Sequence, residues 1–468
     1  MQYFCSQCRH PLRTGIAVLA LIVCASFAAT SAPYGNGSSP LTTLHRFKGG
    51  GPSVTVTKVP GPLVQGADGF IYLIGYQWVP GFAYPTLFRM DLAGNLSAIV
   101  RLKDTPLSMI QGTDSNFYIT CVDDGNDPGT LIKVTPTGIV SELHRFSGNR
   151  RFHMTDSEDG ADPSGSLVQG NDGALYGVTR RGGVHGRGIV YKITTDGKFT
   201  KLFDFYGDEF TGVQEPDGPL VIGKDGTLYG RAHTRFGQSG DGVIFRLTPS
   251  GAVSVLRAFD EEEKQADCLI MARDGNLYGT VTRFHTYPAD RVYPTTYGTH
   301  LFRLTTSGVY SRFRVNREQC QTFGEAGTAR FFDAGLHIFQ GPDLNFYGFS
   351  SQDVLFQITP NGEETRMYVF RHDLSSASFT GDLNVTVSIQ TAPEGYGPSS
   401  LILAQDGFLY GATGGGGSAT GGGTIFRLNY APKPIKSLTN SSAVRPVTTP
   451  KPVRPAAQKR KSKSKKPS

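Results

Sequence analysis

The sequence predicts an all-β protein, a seven-bladed β-propeller of four-stranded blades, and three observations predict it. A short motif built on Asp, Gly and Tyr recurs seven times in 468 residues. Apolar runs of strand length, bounded by Gly, Asp and Pro, continue to Tyr430 with no sustained helical period. One strand-like element stands alone before the first repeat and is missing from the last.

The first element is the hairpin that opens each repeat. It centres on Tyr72, Tyr118, Tyr176, Tyr229, Tyr278, Tyr347 and Tyr410, and NDGALYG at 171–177 is its clearest copy. The tyrosines lie 46 to 69 residues apart, room enough for four short strands and their turns. Asp-Gly before an apolar-aromatic pair is a strong hairpin signal, because Gly supplies positive φ and Asp tolerates it. Asp68, Asp172, Asp225, Asp274 and Asp406, with Asp114 and Asp343 in the weaker copies, are therefore expected as structural turn residues, not catalytic acids.

A second element follows each tyrosine: TLFRMD, TLIKVT, IVYKIT, VIFRLT, LFRLT, LFQIT and TIFRLN. Its basic position (Arg89, Lys133, Lys192, Arg246, Arg303, Arg427, with Gln357 the exception) is expected to pack or form salt links between blades. The third element is an apolar strand such as LTTLHRF at 41–47 or KFTKLFDF at 198–205. Its first copy precedes repeat one and its last is absent, so residues 41–47 are expected to complete the C-terminal blade and close the ring. An open solenoid predicts no such complementarity and wants capping repeats.

In repeat three the strands are expected at 166–169, 174–178, 188–194 and 198–205. The turns NDG and TDG then share one face of the ring, and the longer connections, different in every repeat, share the other.

Residues 160–197 closely resemble the repeat of the GloVer tandem-repeat proteins, roughly P-x-G-x-L, D-G-x-L-Y-G-x-T, G-G, then G-x-V-[FY]-[KR]. Pro163, Gly165, Leu167, Asp172, Gly173, Leu175, Tyr176, Gly177, Thr179, Gly182, Gly183, Gly188, Val190, Tyr191 and Lys192 carry the match. Repeats four and seven match well, repeat five in part, and repeats one, two and six are degraded. The resemblance implies an exported, propeller-like bacterial protein and assigns no catalytic residue.

The ends carry different signals. Residues 1–32 have Arg9 and Arg13 before the apolar run Gly15–Ala29 and then small residues, the layout of a secretory signal peptide, so an extracytoplasmic address is expected. The apolar run is shorter than the about 20 residues of a spanning helix, so no transmembrane span is expected after cleavage. A short linker, 33–40, precedes the propeller at 41–430. Residues 431–468 hold eleven Lys and Arg and no Asp or Glu, and removing them takes the formal charge from +7 to −4. That tail is expected to be a disordered basic arm that associates with anionic envelope polymers. Nucleic acid is not expected as a partner, and the chain is expected to be a monomer.

Repetition separates fold from function: a residue present in every blade maintains the blade, and one unique to a blade is free to bind. The singular residues are aromatic. GYQWVPGFAYPT (75–86) carries Trp78, Phe82 and Tyr84, and RFHTYPADRVYPTTYG (283–298) carries His285, Tyr287, Tyr293 and Tyr297. Both are expected as loops on the variable face, where rigid aromatics can stack on a glycan or anchor a protein. DDGNDPG (123–129) and DSEDGADPSG (156–165) lack calcium-loop spacing and are expected as solvated loops, and FDEEEKQAD (259–267) as a charged connector. No metal or cofactor motif is present. Cys121, Cys268 and Cys320 are expected as buried apolar residues. The leading expectation is an exported, non-enzymatic binding or scaffolding propeller; the alternative is a carbohydrate-active hydrolase or lyase, which needs two carboxylates roughly 5–10 Å apart.

Overall fold

The computed structural model describes residues 40–47, 55–56, 62–79, 82–122, 128–148, 158–206, 212–234, 242–260, 263–285, 296–313, 338–349, 353–370, 394–415 and 422–430. The expected signal peptide, most of the linker, the basic tail, Tyr287, Tyr293 and Cys320 lie outside them. Within them the chain is all β, seven antiparallel blades in a ring.

Strand β1 spans Leu41–Arg46. Blade one follows with β2 (Thr55–Val56), β3 (Val64–Gln65), β4 (Ile71–Val79), β5 (Phe82–Met90) and β6 (Leu96–Arg101). Blade two holds β7 (Thr105–Gln111), β8 (Phe117–Val122), β9 (Thr130–Val134) and β10 (Val140–Arg145). Blade three holds β11 (Ala161–Gln169), β12 (Leu175–Arg181), β13 (Ile189–Ile193) and β14 (Phe199–Asp204). Blade four holds β15 (Val213–Ile222), β16 (Leu228–Thr234), β17 (Gly242–Leu247) and β18 (Val253–Ala258). Blade five holds β19 (Glu263–Met271), β20 (Leu277–His285), β21 (Thr296–Leu304) and β22 (Tyr310–Phe313). Blade six holds β23 (Ile338–Gln340), β24 (Phe346–Phe349), β25 (Val354–Ile358) and β26 (Glu364–Val369), and blade seven β27 (Tyr396–Leu403), β28 (Leu409–Gly415) and β29 (Thr424–Leu428).

The second and third strands of each blade are buried on both faces, which is why FYITCV and TLIKV run apolar without alternating. First strands of successive blades touch one another, β7 with β11 and β11 with β15, which places them at the axis. Seven apolar clusters sit one at each seam between blades, including blade seven against blade one through Tyr410, Ile425, Ile71 and Phe88. Strand β1 pairs with β29, Leu41 opposite Leu428, in the fourth-strand place of blade seven. That pairing carries a one-residue bulge between Thr43 and His45, as the fourth-strand pairings of blades one to four and six also do.

The repeated Gly after Tyr has a packing reason. Gly230 and Gly411 lie opposite Phe245 and Phe426, whose rings come within 2.6 and 2.2 Å of where a Cβ would be. The Y-G of the second strand and the [FY] of the third therefore form one interlocked pair.

Three expectations fail. Residues 161–165 belong to strand β11 rather than to a solvated loop, and Asp162 takes a left-handed φ of 59° just before Pro163. In 259–267, Phe259 is buried and Glu263 opens β19 only 3% exposed, so this segment is a packed joint and not merely a charged connector. Residues 75–79 and 82–86, and likewise 283–285 and 296–298, are paired strands rather than loops, because their aromatic and β-branched residues sustain the hairpin beyond the blade.

Candidate binding surfaces

On the turn face the repeated Asp does more than turn the chain. One carboxylate oxygen accepts the backbone N–H two residues on, as Asp172 does from Ala174 at 3.1 Å. The other accepts the hydroxyl of the repeat tyrosine in six blades, from Tyr72, Tyr118, Tyr176, Tyr278, Tyr347 and Tyr410, at 2.6–3.0 Å. In blade four Thr227 Oγ1 takes that place on Asp225, at 2.8 Å.

The basic position also joins this lock: Lys133 reaches Asp114 at 3.0 Å, Lys192 reaches Asp172 at 2.6 Å and Arg303 reaches Asp274 at 3.8 Å. These salt links lie within blades, correcting the expectation of links between them; the short span from third strand to turn in the same sheet decides it. Lys133 alone among these also donates across a seam, to Thr195 O at 3.3 Å. Burial raises the Asp114 carboxyl, but hydrogen bonds from Asn116, Tyr118 and Lys133 outweigh it and hold Asp114 at about 2. At Asp172 the hydrogen bond from Lys192 dominates, burial opposes it, and the carboxyl sits below its ordinary range.

A glutamine that the sequence analysis passed over straps the blades together. Gln169, last in β11, donates from Nε2 to Gly173 O at 2.8 Å and accepts Thr113 N–H from blade two at 2.8 Å. Gln111 accepts Ala67 N–H (2.9 Å), Gln340 accepts Arg273 N–H (2.9 Å), and Gln65 accepts Gln405 N–H (2.6 Å), joining blade seven to blade one. The signal was present as Q-G before the turn in repeats one, two, three and six. Where blade seven has Leu403 instead, blade six presents Pro342, which has no N–H to satisfy. At the seams after blades three and four the residue is Ile222 and Met271, while Asn171 and Lys224 still carry an N–H.

Of the expected aromatic residues, Trp78, Phe82, Tyr84, His285 and Tyr297 have their backbones at the far end of the second and third strands, on the opposite face. Phe82 is 66% and Tyr84 37% exposed, their ring centroids 6.3 Å apart, and the Arg101 guanidinium lies 5.4 Å over Tyr84. Trp78 pairs through its backbone with Ala83 and, on its other edge, with Thr55. His285 pairs with Thr296, and Tyr297 with Phe284, in the corresponding hairpin of blade five. Tyr76 to Val79 and Phe82 to Pro85 thus form a second hairpin level above blade one, widened by β2.

Three acids on the innermost strands are held by basic side chains. On innermost strand β15, Glu215 lies 3.7 Å from Arg187, and Asp217 lies 3.6 Å from Arg231 and 3.5 Å from His233. Burial raises Asp217, yet the hydrogen bond from His233 and the charges of Arg231, His233 and Arg180 leave it below the ordinary carboxylate range. Glu263 is enclosed by Arg257, Arg312 and Tyr310. Asp159 stands between Ser147, whose hydroxyl it accepts, and His144, whose Nε2 lies 3.2 Å away, so the order of groups is not that of a hydroxyl activated by an imidazole. Among the described residues no three His, Cys, Asp or Glu gather as metal ligands. Cys121 and Cys268 are buried, Cys268 Sγ lying 3.3 Å from Thr280 Oγ1, and burial with the charge of Asp104 pushes the Cys121 thiol up to about 12.

A family model of the Gloeobacter/Verrucomicrobia repeat matches residues 59–293, half of the chain. The chain belongs to this family. The matched span covers the Gloeobacter/Verrucomicrobia repeats from blade one through β20 of blade five, so the Asp–Tyr lock and three of the four Gln straps' glutamines and turns fall wholly or partly inside it. No curated protein matches the sequence. Among solved structures, a streptogramin B lyase is 14% identical with a TM-score of 0.46, covering 79% of this chain and 93% of its own. Virginiamycin B lyase from Staphylococcus aureus is 13% identical with a TM-score of 0.47, covering 80% and 98%. The WD40 propeller domain of Doa1 is 10% identical with a TM-score of 0.47, covering 82% and 96%. None of these likenesses bears on ligand or activity.

Proposed function

We infer that this repeat protein is an exported, non-enzymatic binding or scaffolding propeller that holds a glycan or protein ligand against the aromatic hairpins opposite the turn face. The observation that carries the inference is Phe82 and Tyr84, exposed on a regular hairpin with Arg101 over one ring. Solvent-facing aromatics on a paired scaffold present rigid, amphipathic area at low entropy cost, and a planar cation beside them adds hydrogen-bond donors. Trp78, His285, Tyr287, Tyr293 and Tyr297 are assigned to the ligand contact from the sequence alone. A hydrolase or lyase is less favoured because Glu215 and Asp217 each engage cations rather than standing free as an acid and a base. Residues 1–32 would export the chain, and the basic residues 431–468 would associate with anionic envelope polymers.

A glycan array with the wild type and a Trp78→Ala, Phe82→Ala, Tyr84→Ala variant tests the ligand site. Binding by the wild type that falls at least tenfold in the variant supports it; equal binding by both, or none by either on glycan and protein arrays, contradicts it. Removal of residues 436–468 should abolish envelope association at low salt, and unchanged association removes the tail from the account.

A further inference from the structure

We propose that the seam between blades three and four is a second ligand site, on the turn face, that takes a neutral pyranose unit of a saccharide. It stands apart from the aromatic hairpins and does not depend on them.

Both straps that close the preceding seam are missing here. Ile222 occupies the place where Gln169 accepts the neighbouring turn's N–H, so Asn171 N–H has no protein acceptor among the described residues. Lys192 turns to Asp172 within its own blade, whereas Lys133 also reaches across to Thr195 O. The seam opens into a cleft of about 510 Å³, within the range of small-molecule sites. Tyr176 sets this seam apart: the other six repeat tyrosines are at most 5% exposed, including Tyr229 and Tyr347, whose seams also lack the glutamine, and Tyr176 alone is half-buried, lining the cleft.

The lining selects a ligand class. Lys192 and Lys224 face Asp172 and Asp225, so the formal charges cancel and the site offers a net ion no advantage. Lys224 has no ion-pair or hydrogen-bond partner among the described residues, and with the Asn171 amide it supplies donors beside carboxylate acceptors. Sugar hydroxyls donate and accept at once, and they match that mixture. The Tyr176 ring, with Ile222 beneath the turn, provides the apolar surface on which the C–H face of a pyranose stacks.

Saturation-transfer NMR on the full chain, with methyl glucopyranoside, galactopyranoside, mannopyranoside, N-acetylglucosaminide and glucuronide as probes, tests the site. In a chain already carrying Phe82→Ala and Tyr84→Ala, which removes any contribution of the hairpin, transfer to at least one neutral pyranoside is expected, and adding Tyr176→Ala or Ile222→Gln reduces it fivefold or more. Ile222→Gln installs the residue that four repeats already carry, so it closes the seam without threatening the fold. No transfer to any neutral pyranoside in that chain, or transfer that survives both cleft variants, overturns the proposal. So does a preference for the glucuronide.

Discussion

The seam between blades two and three and the seam between blades three and four are built from the same repeat and behave differently. In the first, Tyr118 is fully buried, Gln169 ties two turns together and Lys133 crosses to Thr195. In the second, Tyr176 keeps its bond to Asp172 but is half-buried, and Ile222 leaves the turn of blade three unstrapped. A residue's task here is set by the next blade as much as by its own repeat. NDGALYG is structural through Asp172, Gly173 and Leu175, while Tyr176 in the same motif borders a cleft.

The largest expected contrast is between the two tyrosines. Tyr118→Ala empties a closed seam and should cost about 3–5 kcal/mol in chemical unfolding. Tyr176→Ala should cost no more than about 2 kcal/mol, because water already reaches part of the ring. Equal costs would mean that the seams are alike in solution.

Exchanging the strap is the next test. Gln169→Ile leaves Thr113 N–H and Gly173 O without their partners and should lower stability by about 1–3 kcal/mol. Ile222→Gln should raise it by about 1 kcal/mol, by giving Asn171 N–H an acceptor. A loss from both exchanges would show that Ile222 belongs to the packing of its seam.

The smallest expected effect is on pH dependence. Because Asp114 is depressed to about 2, its contribution is complete above about pH 4, the unfolded range, and is lost as pH falls toward 2. Asp114→Asn should flatten that part of the acid unfolding curve, and a carboxyl NMR titration of Asp114 with an ordinary midpoint would contradict the hydrogen bonds assigned to it.

Sequence periodicity carried the ring because a propeller repeats its buried strands: the seven tyrosines, the Y-G and [FY] pair and the displaced strand at 41–47 all follow from one blade stacking on the next. It did not carry the hairpin extensions. Residues 75–86 occur once, so no second copy distinguished a long strand from a loop, although Tyr76 to Val79 has strand composition. Gln65, Gln111, Gln169 and Gln340 were visible in four repeats, yet their role depends on a turn one blade away, between 44 and 340 residues distant in sequence. Glu263 resembled its acidic neighbours, and only the fold brings Arg257, Arg312 and Tyr310 around it.

Amide hydrogen exchange at the turns measures the difference between seams without altering a residue. The amides of Ala67, Thr113, Arg273 and Gln405, each donated to a glutamine of the adjoining blade, should exchange slowly, and those of Asn171 and Lys224 at least tenfold faster. Uniform protection across all six would contradict the account, because the seam after blade three would then be as closed as the seam before it.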